Sequence, residues 1–148
     1  MEVIGYPGYL IYPDGKVQNK KSKRYLKQCE DSGGYLQVKL YNNKSKIYNI
    51  HRLVALHYIP NPDNKRCVDH INRNRTDNRL DNLRWATHSE NQQNTGICKN
   101  NKLGIKNISY HKTRDRYDYK KIINGVKHEK YFKTLEEAIE YKKEYESL

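Results

Sequence analysis

Residues 68–91 read VDHINRNRTDNRLDNLRWATHSEN, and the division of this stretch decides the architecture. Arg66-Cys67-Val68 reads as a short strand whose end presents Asp69 and His70. A polar loop dense in Asn and Arg follows, and Leu83-Arg84-Trp85-Ala86 reads as a second short strand. Thr87, with Glu90 three residues on, has the spacing of a capping box, so a helix starts there and carries Asn91 in its first turn. Strand, loop, strand and helix direct a carboxylate, an imidazole and a carboxamide towards one point. Such oxygens suit a hard divalent cation, and an imidazole beside them can take a proton from water.

Upstream, Leu53, Val54, His57 and Tyr58 recur at helical spacing, which predicts a short helix over 51–59 ended by Pro60 and Pro62. His51 and His57 belong to no partner motif, so packing is the simpler reading of both. Residues 1–49 read as short strands broken by turns. Tyr9 to Tyr12 leads into Pro13-Asp14-Gly15, and Lys16-Val17 returns. Tyr35 to Tyr41 alternates like a half-buried strand, and Asn42-Asn43-Lys44 turns it into Ile47 to Ile50. Lys20, Lys21, Lys23, Arg24 and Lys27 lie between these hairpins, as a solvated loop or as an arm along a polyanion.

Downstream, 96–103 has no apolar period and reads as a linker, and Gly104 opens a second module. Ile105 to Tyr110, Tyr117 to Ile123 and Lys127 to Phe132 read as three strands, with turns at Arg114-Asp115 and Asn124-Gly125. Thr134 to Glu137 repeats the capping-box spacing. Leu135, Ala138, Ile139 and Tyr145 then place an apolar stripe on a helix. Residues 104–133 hold nine Lys+Arg and three Asp+Glu, whereas 134 onward hold two Lys and five Glu. A basic sheet backed by an acidic helix gives this module a direction.

The whole chain has 148 residues, with 29 Lys+Arg against 17 Asp+Glu and a formal charge of +12. That excess points to a polyanionic partner, of which nucleic acid is the commonest. No polybasic amphipathic helix points to a membrane surface, and no apolar run is long enough to span one. A hydrophobic fraction of 35% is thin for one large core and easier to divide between two small ones. Cys29, Cys67 and Cys98 are an odd number without a C-x-x-C pair, which argues against a disulfide framework or a four-cysteine zinc knuckle. Reduced thiols in a soluble intracellular protein are the expectation.

The joint spacing of Asp69, His70, Asn82 and Asn91, with Trp85 and the helix cap, resembles the HNH nuclease family and its ββα-metal fold. The likeness is greatest to the homing and nicking endonucleases of phages and large viruses. Asn82 lies twelve residues after His70 and Asn91 nine further, so the chain reads H-N-N where much of the family ends on His. The segment HRLVALHYIPNP at 51–62 resembles the helix and Pro-rich turn that precede the motif in the homing branch. The βββα order and the ending YFKTLEEAIEYKKEY resemble the Apetala/ethylene-response type of DNA-binding domain, whose sheet lies in the major groove.

The resemblance implies an α+β chain: β-hairpins over 1–49 that contact DNA, a ββα-metal nuclease module over 50–95, a linker over 96–103 and a βββα DNA-binding domain over 104–148. It implies a homing or nicking endonuclease from a viral or phage mobile element, leaving 5′-phosphate and 3′-hydroxyl ends on duplex DNA. His70 is the expected general base. Asn82 is the expected tie that braces the loop and the His70 backbone or ring. Asp69 and Asn91 are the expected ligands of one Mg²⁺ or Mn²⁺ ion per active site. Arg73, Arg75, Arg79 and Arg84 are expected to meet phosphates, and Arg114, Arg116, Tyr117 and Lys120 to meet DNA from the second module. A monomer is expected, with a dimer as the alternative. The competing reading is a DNA-binding protein that keeps the scaffold without catalysis.

Overall fold

Glu2–Val3 (β1), Tyr6–Ile11 (β2) and Val17–Asn19 (β3) form an antiparallel sheet in chain order. The chain turns between β2 and β3 at Pro13-Asp14-Gly15, and Gly15 is needed there twice over. Its φ of +83° lies in the left-handed region, and a Cβ would meet Asn78 Cβ at 3.0 Å and Ile50 Cγ2 at 3.1 Å. Cys29–Glu30 (β4), Leu36–Asn42 (β5) and Lys44–Asn49 (β6) make a second sheet, whose long hairpin closes through Asn43 at φ 59°. Ile50–Tyr58 (α1) follows at once, within one residue of the helix expected at 51–59. It ends where Ile59 turns extended, as the residue before Pro60 is biased to do.

Cys67–His70 (β7) and Leu83–Ala86 (β8) pair antiparallel, Cys67 opposite Ala86 and His70 opposite Leu83. His88–Gln93 (α2) follows, with both capping-box bonds present: Glu90 N–H donates to Thr87 Oγ1 and Thr87 N–H to Glu90 Oε2. The computed structural model describes residues 1–98, 100–123 and 125–147, and its two compact units are Met1–Asn94 and Thr95–Leu148. Val3, Ile11, Val17, Val38, Leu40, Ile50, Leu53, Val54, Val68 and Leu83 are buried in one cluster. The hairpins of 1–49 therefore share a core with the module that follows them. A thin apolar supply is pooled across three small sheets and a helix instead of being spent on separate cores.

In the second unit Ile108–His111 (β9), Arg116–Ile123 (β10) and Val126–Phe132 (β11) form a sheet with β10 central. Leu135–Ser147 (α3) packs on it through Ala138, Ile139, Tyr141 and Tyr145, over Ile108, Tyr119 and Phe132. The second capping box is present, with Glu137 N–H donating to Thr134 Oγ1 at 3.3 Å. Asp115 takes the left-handed conformation at the first turn. Of the second turn, Asn124 lies outside the described residues and Gly125 has φ +80°. The expected linker is partly built into this unit: Leu103 packs against its core, and Asn101 Nδ2 donates to the Ile105 and Ile108 carbonyls.

Candidate active site

β7 ends on two buried polar residues, Asp69 and His70, exposed by only 5% and 4%. Each therefore needs partners. Asp69 lies opposite Arg84 on β8, whose guanidinium donates Nε and Nη2 to Asp69 Oδ2 at 2.9 and 2.8 Å. Asn94, which caps the C-terminus of α2, donates Nδ2 to both carboxylate oxygens at 2.9 and 3.0 Å and to the His70 carbonyl at 2.8 Å. No motif singles out Asn94 in the sequence, yet it is the carboxamide that touches both strand-end residues. Asn91 stands half-buried one turn earlier on α2, and residues three apart share a helix face.

The His70 ring packs against His51 and Tyr35, at centroid distances of 5.2 and 6.0 Å. Its Nε2 lies 3.0 Å from the carboxamide oxygen of Asn78, itself 4% exposed. A carboxamide oxygen only accepts, so the proton sits on Nε2 and the Nδ1 lone pair is left for chemistry. Asn78 is backed by the Gly15 turn, and next to it Leu80 N–H donates to Pro13 O at 2.8 Å. No motif marks Asn78 in the sequence. Its signal is burial, which a loop full of Asn hides.

Asn82 ties the loop together. Its Oδ1 accepts from Asn72 N–H at 3.0 Å, its Nδ2 donates to Asp77 O at 2.7 Å, and its carbonyl accepts from Ile71 N–H at 2.9 Å. The imidazole, however, is held by Asn78. His51, read as a packing residue, lies inside the site with 6% exposure, and its buried Nδ1 has no hydrogen-bond partner among the described residues. Burial first, then the charges of His70 and Arg52, bring its pKa down to about 4. His57 is structural: Nδ1 lies 2.7 Å from Leu53 O, and Nε2 accepts from Ile4 N–H.

The expected phosphate contacts fall into distinct settings. Arg73 is exposed at φ 65° in a tight turn closed by its N–H on the His70 carbonyl. Arg75 lies 4.9 Å from the Tyr35 ring centroid and donates to Gly33 O at 2.6 Å. Arg79 grips Asp77 through Nε and Nη2, and with Asn72 it holds that carboxyl down at about 2. Arg84 is committed to Asp69, with half of its side chain exposed. Beside this pair opens a cavity of about 400 Å³ lined by Lys65, Arg84, Trp85, Glu90, Gln93 and Asn94. Glu90 is spent within the protein: Thr87 N–H first, then Lys65, lower its pKa to about 2.

In the second unit alternation puts Arg116, Asp118 and Lys120 on the sheet face opposite α3. Asp118, 2% exposed, accepts from Arg116 Nε at 2.8 Å and Lys120 Nζ at 3.1 Å. Burial pushes its carboxyl up, but Lys120 and Arg116 outweigh that and leave it below the usual value. The Arg116 guanidinium also lies 3.6 Å from the Tyr131 ring centroid. Tyr117 departs from expectation. It turns to the helix side, half-buried against the core and 5.2 Å from the Tyr110 ring. Arg114 is exposed in a 3₁₀ turn.

Residues 48–93 match the HNH endonuclease family, and this segment is an HNH endonuclease domain. An uncharacterized HNH endonuclease of Acanthamoeba polyphaga mimivirus is 46% identical over 84 residues, which are 56% of this chain and 26% of that protein. DNA endonuclease I-HmuI of Bacillus phage SP01 is 35% identical over 95 residues, 63% of this chain and 55% of its own. The chain thus spans between about a quarter and about half of the length of these relatives. The solved structure of the HNH homing endonuclease I-HmuI, described as binding and cleaving DNA, superposes with a TM-score of 0.58 at 26% identity. That superposition covers 95% of this chain and 81% of I-HmuI.

Proposed function

We propose that this chain is a divalent-metal-dependent DNA endonuclease of the homing or nicking type, with His70 as the general base. The observation that carries the reading is the buried contact from His70 Nε2 to Asn78 Oδ1, one residue after the buried Asp69. It orients the ring, fixes which nitrogen holds the proton and leaves Nδ1 able to accept one from water. The nucleases named above support the choice of DNA as substrate.

The donor set fits a hard divalent cation. Asp69 offers carboxylate oxygen and Asn91 carboxamide oxygen, and no group of three or more His, Cys, Asp or Glu is gathered among the described residues. Mg²⁺ accepts such a sparse set, because it keeps waters and takes phosphate oxygens from its substrate. When bound, the ion supplies Lewis-acid stabilisation of the charge that builds on the phosphate. Asn94 and Arg84 hold the carboxylate in place, Asn82 keeps the loop closed, and His51 remains neutral beside the base.

Conversion of supercoiled plasmid to nicked circles in Mg²⁺ tests this. The parent should nick, EDTA should stop it, and His70→Ala and Asp69→Ala should each lose about 10²–10⁴-fold in rate, the range of a positioned acid or base. Folded, DNA-binding variants that cleave at the parental rate would remove the assignment.

A further inference from the structure

The Asp69–Arg84 pair does more than hold a carboxylate still. Two guanidinium N–H groups and the Asn94 amide all donate to Asp69 Oδ2, while Oδ1 accepts from the Asn94 amide. A cation approaching Oδ2 must displace Arg84, and one on Oδ1 must sit beside a fixed positive charge. The partners are unequally anchored, because Asp69 is 6% exposed in its side chain and Arg84 50%. Arg84 also lines the polar cavity that it shares with Lys65 and Asn94, so the guanidinium already reaches a space where an anion could enter. Its fork matches a phosphate as well as a carboxylate.

We propose that Arg84 is a two-position arm, which neutralises Asp69 in the free protein and passes to a backbone phosphate when duplex DNA enters. Release of Asp69 Oδ2 at that moment makes the cation bind more tightly to the DNA complex than to the free protein. Linkage requires the converse, so the cation strengthens DNA binding by the same factor. The sparse donor set agrees with this order of events, because the cation finds its remaining oxygens only when phosphate is present. The inference rests on the nuclease reading of Asp69, and its test separates the two.

Mn²⁺ binding to the full-length chain is measured by electron paramagnetic resonance, in a His70→Ala background that prevents cleavage. Each protein is titrated alone and with a short mixed-sequence duplex, after subtraction of Mn²⁺ held by the duplex itself. The duplex should raise Mn²⁺ affinity about tenfold, inside the roughly 5–150-fold typical of coupled sites. Arg84→Gln should bind Mn²⁺ about that much more tightly in the absence of DNA and gain little from the duplex, and Arg84→Lys should restore the gain. Fluorescence anisotropy of the duplex should show the reciprocal effect of Mn²⁺ on DNA affinity. An Arg84→Gln protein with unchanged Mn²⁺ affinity and an unchanged gain overturns the arm. Asp69→Ala with parental Mn²⁺ affinity overturns instead the nuclease reading beneath it.

Discussion

Asn78 is the residue that holds the proposed base, His70, and its effect is expected to separate from folding and binding. Asn78→Leu removes the acceptor for His70 Nε2–H in a buried site and frees the ring to adopt either tautomer. Single-turnover nicking at saturating protein should fall about 10–100-fold, the usual cost of losing a supporting contact to a site residue, with duplex affinity unchanged by anisotropy. Asn78→Asp keeps an oxygen at the same point and should recover most of the rate. A leucine variant as fast as the parent would remove Asn78 from the mechanism. Asp69, His70 and Asn82 were legible in the sequence because their types and spacing are rare in combination. Asn78 and Asn94 were not, since the neighbouring stretch offers Asn72, Asn74, Asn78, Asn82 and Asn91 as chemically identical choices. Only packing tells which amides face inward. The same holds for His51, which joins the site because α1 buries it against Tyr35 and the end of β7.

α2 spans six residues, too few to stand by propensity alone, so its cap matters more than in a longer helix. Thr87→Ala deletes the acceptor for Glu90 N–H and should cost about 1 kcal/mol in urea-denaturation stability, with an unchanged denaturant slope. A loss below about 0.3 kcal/mol, outside the usual capping range, would mean that tertiary contacts alone hold the helix. The Trp85 indole donates to Ile59 O at 3.0 Å and fastens β8 to the end of α1, which is the contact such an outcome would credit. Elements with a local signal were read closely: both capping boxes, β8 and the Pro60 stop all lie where residue chemistry places them. β9 was drawn too early because Asn107 takes φ 69°, a left-handed conformation that the apolar pattern of 105–110 does not disclose.

Over the whole molecule, charge and unit structure set the expected mode of binding. Deletion of 95–148 should weaken duplex affinity and flatten its dependence on salt, because each phosphate contact contributes a slope of about 0.9 in log K against log salt. Parental affinity and slope after the deletion would leave the second unit without a DNA role. Arg116 and Lys120 would have to serve there while anchored to Asp118, which makes the sheet face less basic than the composition of 104–133 implied. The pooling of 1–49 with the nuclease module was also invisible in the sequence, since a pattern of apolar residues does not say which strands share them. One consequence concerns the recombination of modules. The Gly15 bend props up Asn78, so the first hairpin supports the proposed base as much as any recognition surface. A chimera that imports a foreign hairpin at this point inherits a working scissor only if its bend is equally bare of side chain; otherwise the graft folds and grips its target, but with a blunt blade.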